Sequence, residues 1–133
     1  MTVLVIVAVV GFVTIASFQA ALALGAPLGR AAWGGTNERL PPRFRIASFV
    51  SAGVWVLAAL VILGRAGYSV SPMHADVARW GTYVLVGVLS LSGIANTISS
   101  SKWERFLWGP AALILAVLCL VLAFSSPQLA SLG

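Results

Sequence analysis

Gly25-Ala-Pro-Leu-Gly-Arg-Ala-Ala-Trp-Gly-Gly-Thr-Asn-Glu-Arg-Leu-Pro-Pro-Arg-Phe-Arg45 is the one long segment not dominated by apolar residues in this chain of 133. It holds four of the eight basic residues, Arg30, Arg39, Arg43 and Arg45. Before it, Val3 to Leu24 are 22 residues without a charge. At about 1.5 Å of rise per residue, such a helix spans roughly 33 Å and crosses the hydrocarbon core of a bilayer. Gly25 and Pro27 end that helix, one as a permissive C-terminal residue and the other as a residue that cannot continue it. Pro41-Pro42 closes the segment. Proline is favoured at the first helical position, so a second helix starts at Pro42 or Arg43 and runs to about Leu63, with Gly64 and Gly67 as its stop.

Two more helices follow. Ser71-Pro72 has the form of an N-cap with a first-turn proline, and Asp76 suits the positive N-terminal end of the dipole. This places the third helix at about 72–99, with Trp80 and Tyr83 in an interfacial aromatic belt. Ser101-Lys-Trp-Glu104 reads as a capping box for a fourth helix at 102–124. Pro110 removes a backbone hydrogen bond within it and predicts a kink near Gly109-Pro110. The uncharged tail from Ser125 onward is expected to fray. Ala21-Leu-Ala-Leu-Gly-Ala26 resembles a signal cleavage site, but the apolar stretch is long and no basic region precedes it, so the first helix is read as retained.

Composition agrees. The chain is 60% apolar and 8% charged, against about 25% charged in a soluble domain. No soluble core fits in the short segments left between the apolar runs. The net charge of +5 is assigned to the cytoplasmic face and anionic headgroups, and nucleic acid is discounted. The lone Cys119 excludes an internal disulfide and reads as a small buried hydrophobe. The basic residues divide six to two: Arg30, Arg39, Arg43, Arg45, Lys102 and Arg105 against Arg65 and Arg79. By the positive-inside rule, the first and third connections are cytoplasmic and both termini are outside. The expected fold is therefore all-α transmembrane, a single domain over 1–133. It forms an antiparallel four-helix bundle whose cytoplasmic loop 25–42 folds over the bundle end.

Candidate functional groups gather at that end. Arg43, Arg45, Lys102 and Arg105 crowd the N-termini of the second and fourth helices, where their charge opposes the helix dipole. A lipid phosphate held between them would relieve the conflict. Glu104 and Arg105 point about 100° apart on a helix and are not natural partners. Glu104 is expected to cap its own helix or to meet Arg43 or Arg45. Gln19 and Asn96 suit an interhelical hydrogen bond or a polar pocket. Trp33, Trp103 and Trp108 suit an interfacial belt, and Trp33-Gly34-Gly35 permits a loop that closes as a lid. Gly87, Ser92 and Gly93 are assigned to a packing or oligomer face on the third helix. His74 stands alone, so neither a metal nor any other cofactor is expected.

Gly25-Ala-Pro-Leu-Gly29, Gly34-Gly35, Leu40-Pro-Pro-Arg43, Glu104-Arg105 and Trp108-Gly-Pro110 together resemble a group of small four-helix integral membrane proteins of high-GC, actinobacterial-type bacteria. The group has an aromatic residue where Leu28 stands here. The resemblance covers nearly the whole chain and implies a fold and a bacterial cytoplasmic-membrane habitat, but no activity. The functional expectation is a non-enzymatic protein. It binds a lipid or amphiphile through Arg43, Arg45, Asn96, Lys102, Glu104 and Arg105, or serves as accessory subunit of a membrane complex. The rivals are a small homo-oligomeric transporter or channel and a lipid-headgroup enzyme using Glu104 as acid or base. Against the first, no helix carries a mid-membrane charge. Against the second, no nucleophile or metal partner accompanies Glu104. The topology makes a direct prediction. In a Cys119→Ala background, Val70→Cys is labelled from outside intact cells and Thr36→Cys is not; labelling of position 36 reverses the orientation.

Overall fold

The computed structural model describes residues 2–68 and 71–125. All regular structure among them is helical. Helix α1 is Thr2–Ala23, α2 is Pro42–Arg65, and α3 is Ala75–Thr97. A π-helical turn, Glu104–Trp108, leads directly into α4, Gly109–Phe124. The expected tail from residue 126 onward and position 70 lie outside the described residues.

Four helices are long and apolar enough to cross a membrane: α1, α2, α3, and the π turn with α4. Their surfaces are inverted relative to a soluble protein. Val3, Ile6, Val10, Phe49, Val50, Leu91, Ile94, Ile114 and Val117 face outward, all more than half exposed. The interior is instead rich in small residues, including Ala8, Ala16, Ala58, Ala59, Ala78, Ala112, Ala116 and Ala123. In lipid, burying an apolar side chain gains little over leaving it among acyl chains, so packing relies on close backbone approach. Phe12, Leu22, Ile62 and Leu89 supply the fully buried bulk. The stripe Val5, Ala8, Phe12 and Ala16 on α1 has the three- and four-residue spacing of one helix face.

The most extensive packing joins α1 to α2 and α3 to α4, with α2 against α3 next. Gly93 shows why α3 and α4 come so close, because a Cβ there would lie 2.5 Å from Leu113 Cδ2. Gly87 differs: a Cβ on it meets nothing within 4 Å. Ser92 is half-buried and faces an internal cavity. The three residues expected to share one face therefore have three separate environments.

Helix ends follow the expected chemistry in part. Gly25 has φ +93° and Gly67 has φ +90°. Ala26 N–H donates to Ala21 C=O and Gly25 N–H to Leu22 C=O, while Tyr68 pairs with Leu63 and Gly67 with Gly64 in the same way. Both are Schellman closures, which need a residue tolerant of positive φ. Helix α2 thus passes through Gly64 and stops two residues later than expected. Two arginines of α2 finish its neighbours. Arg45 Nε donates to Ala23 C=O at the end of α1 at 3.0 Å. Arg65 donates to Ala123 C=O at 3.1 Å, and to Ser125 C=O, at the end of α4. A cation at a helix C-terminus meets both free carbonyls and the negative pole of the dipole.

Helix α3 corrects the expected start. Its N-cap is His74, whose Nδ1 accepts from Asp76 N–H at 3.3 Å. Ser71 is buried and turns away, its hydroxyl donating to Leu60 C=O at 2.8 Å and accepting from Met73 N–H at 3.4 Å. It ties the connection to α2 and leaves capping to His74. The distortion expected at Gly109-Pro110 occurs in the turn before it, where Gly109 N–H bonds to Glu104 C=O across five residues. Proline offers no N–H and crowds the carbonyl four residues back, and a widened turn accommodates both.

Replacing Gly93 by leucine should cost about 1–3 kcal/mol of stability by overpacking the α3/α4 seam, whereas Gly87→Leu should leave the fold intact. Thermal unfolding in detergent distinguishes them, and equal melting temperatures for the two variants would contradict the assigned environments.

Candidate functional site

The connection between α1 and α2 is ordered and folds back over one end of the helices. It contains two short 3-10 turns, Gly29–Ala31 and Trp33–Gly35. Gly29 N–H donates to Glu38 C=O at 2.8 Å, closing the loop on itself. Leu22, Ala32 and Leu40 form a small buried cluster beneath it, packed against Phe18 and Phe44. The loop thus carries its own hydrophobic anchor.

Polar contacts fasten this loop to the α3/α4 connection. Ser101 Oγ donates to Arg30 C=O at 2.7 Å, and Ser100 Oγ to Gly34 C=O at 3.3 Å. Glu104 Oε1 accepts from Gly34 N–H at 2.9 Å and from Ser99 Oγ at 2.8 Å. Only half of the expected capping box forms: Ser101 Oγ accepts from Glu104 N–H at 3.4 Å. Ser101 N–H donates to Ser99 Oγ at 3.1 Å, in place of the return bond to Glu104. The Glu104 side chain is thereby free to reach across to the loop. Nor does Glu104 meet Arg43 or Arg45. Among the described residues the one close approach of a basic to an acidic side chain is His74 Nδ1 to Asp76 Oδ2, at 3.9 Å.

Gly34 and Gly35 both have positive φ, +82° and +75°. Trp33 also has a positive φ, +50°, which is uncommon for a bulky side chain and costs of order 1–3 kcal/mol. It is held there by two contacts. Its Nε1 donates to Ser48 Oγ at 2.9 Å, and its ring stacks on Phe44 with centroids 5.5 Å apart.

Beneath the loop lies a cavity of about 270 Å³. Helix α1 contributes Ile15, Phe18 and Gln19; the loop contributes Ala31, Ala32 and Trp33; α2 contributes Ser51 and Trp55. Helix α3 adds Leu89, Ser92, Ala95 and Asn96, and the fourth span adds Glu104, Trp108 and Ala112. The wall is mostly apolar and aromatic, with a few convergent polar groups, as small-molecule sites usually are. Two buried polar atoms here have no hydrogen-bond partner among the described residues: Gln19 Oε1, an acceptor, and Trp108 Nε1, a donor. Buried polar atoms are normally satisfied, so these two fit an occupant or ordered water.

The six candidate binding residues separate. Asn96 and Glu104 line the cavity. Arg45 caps α1 and lines a shallower groove with Ala23, Leu24, Pro42, Ile46 and Phe49. Arg43 is exposed with its guanidinium 4.8 Å from the Phe44 ring centre, Arg105 lies 5.0 Å from that of Phe106, and Lys102 is exposed. The basic residues do not converge on the cavity. Sequence reading passed over Trp55 and Ser51, which lie within an apolar run with no motif to mark them, and assigned Trp33 and Trp108 to an interfacial belt. Comparison with protein-family models, curated proteins and solved structures finds no match for the chain.

The Glu104–Gly34 bond is the most testable contact here. A hydrogen bond to a charged group contributes about 1.5–3 kcal/mol, so Glu104→Ala should speed amide exchange at Gly34 roughly ten- to a hundredfold. Glu104→Gln, which keeps an acceptor, should have a smaller effect. Unchanged exchange in Glu104→Ala would mean that the loop is held by its apolar anchor and the Ser100 and Ser101 bonds without help from Glu104.

Proposed function

We propose that this is a non-enzymatic, multi-pass protein of a bacterial cytoplasmic membrane that binds a small amphiphile beneath its first loop. The observation that carries this reading is the 270 Å³ cavity roofed by an ordered loop. Its mostly apolar and aromatic wall with a few convergent polar groups suits a small amphiphile or one end of a lipid.

The helices form an antiparallel bundle with both termini outside. Two features support this arrangement. The first and third connections hydrogen-bond to each other, and the C-terminal ends of α2 and α4 meet through Arg65. The connected loops and adjoining helix ends carry six of the eight basic residues, which favours the cytoplasmic side for the cavity mouth. Arg43, Lys102 and Arg105 then face anionic headgroups at that end of the bundle. A role as accessory subunit remains compatible with this reading, because Gly87 and the apolar outer face of α3 are open to another chain.

Native mass spectrometry on protein extracted gently from its own membrane tests the proposal. The expected result is a small bound mass that is absent from a Ser92→Phe variant, whose ring fills the cavity from within. A bare wild-type chain, or bound mass unaffected by Ser92→Phe, would refute the cavity as the site. A co-purifying chain in its place would favour the accessory role.

A further inference from the structure

We infer that the occupant of this cavity is an amphiphilic monovalent cation, an amine or quaternary ammonium carrying an apolar body; the inference rests on the reading of the cavity as a ligand site. Three observations point to the sign of the charge. First, Glu104 is the one ionisable residue lining the cavity among the described residues. Arg43, Lys102 and Arg105 lie outside the wall, and Arg45 is committed to the end of α1. An anionic head placed here would face a carboxylate with no cation to offset it, and taking an unpaired anion out of water is strongly unfavourable.

Second, the aromatic content is high. Phe18, Trp33, Trp55 and Trp108 all line the same space, with Phe18 and Trp108 packed at a centroid separation of 4.8 Å. Aromatic faces attract cations through the ring quadrupole, tryptophan most strongly, and enclosures of this kind suit cations that cannot donate hydrogen bonds. Third, both hydrogen bonds of Glu104 fall on Oε1, so Oε2 has no partner among the described residues; the two partnerless atoms nearby, Gln19 Oε1 as acceptor and Trp108 Nε1 as donor, do not select a sign between them. The carboxylate therefore holds the loop and presents its negative charge to the cavity in the same geometry. Ile15, Leu89 and Ala112 provide the apolar surface against which the body of the ligand packs.

The test compares two probes of the same shape. Benzyltrimethylammonium and neopentylbenzene differ by a quaternary nitrogen in place of a quaternary carbon, and either fits the space. Binding to the full chain in detergent micelles is read from tryptophan fluorescence and checked by calorimetry. The expected result is that the ammonium compound binds about tenfold or more tightly than its neutral isostere, and that Glu104→Gln removes most of that preference. Glu104→Gln keeps an acceptor for Gly34 and Ser99, so it isolates the charge from the closure of the loop. Equal affinity for the two probes overturns the cation assignment and leaves amphiphile binding standing. A preference that survives Glu104→Gln overturns the carboxylate as counter-charge. If neither probe binds, the cation assignment fails, and the native mass spectrum of the same preparation decides separately whether the cavity holds a ligand. Should Glu104→Gln not yield folded protein, the isostere comparison on the wild type decides alone.

Discussion

The organisation of the capped end depends on one carboxylate oxygen. Glu104 Oε1 receives the Gly34 amide from the first connection and the Ser99 hydroxyl from the third. It thus links two loops some 70 residues apart in sequence. The position of Glu104 is itself a consequence of Pro110. A proline six residues on cannot complete a regular helix start, and the π turn that absorbs this carries Glu104, Trp108 and then Ala112 onto the cavity wall. Backbone chemistry and site geometry are therefore one problem, consistent with the frequent occurrence of π turns at functional positions.

The rest of the interior is built differently. Small residues let α3 and α4 approach at Gly93, and large apolar residues face outward, so the protein body is held by close packing and satisfied backbone, with little hydrophobic drive between helices. Arginines 45 and 65 fit this scheme because each sits near one end of α2 and closes the carbonyl end of a neighbouring helix. In a water-poor environment an open helix end costs several kcal/mol per unsatisfied group. A long basic side chain meets that need from a distance.

Much of the fold is legible in the sequence because membrane helices are marked by length and by lack of charge, and neither depends on tertiary contact. Gly25 and Gly67 stop their helices as expected, since the need for positive φ is local. The errors fall where a side chain has a choice of partners. Ser71 has the form of an N-cap and bonds instead to Leu60, and Glu104 has the form of a capping-box residue and bonds across the molecule. Local patterns cannot rank a local bond against one made by a distant chain segment. The site was legible to a similar degree. Gln19, Asn96 and Glu104 stand out as polar groups at one level of the bundle, whereas Trp55 and Ser51 become visible only once the helix faces are known.

The same geometry explains why Trp33 is the one non-glycine residue with a positive φ among the described residues. A loop that merely joined α1 to α2 could place glycine at that position, as it does at the next two. A tryptophan held at φ +50° by a hydrogen bond to Ser48 and a stack on Phe44 instead brings its ring system to the cavity roof at an energetic cost. Strain of that kind persists where surrounding contacts over-determine it, and it concentrates at ligand clamps. Here the surrounding contacts come from α2 on one side and from Glu104, through the adjacent Gly34, on the other. The roof is therefore set by the two elements that also form the walls. The contact to α2 and the contact to Glu104 lie on either side of the single peptide unit between Trp33 and Gly34, so the position of the Trp33 ring and this fastening of the loop are fixed together.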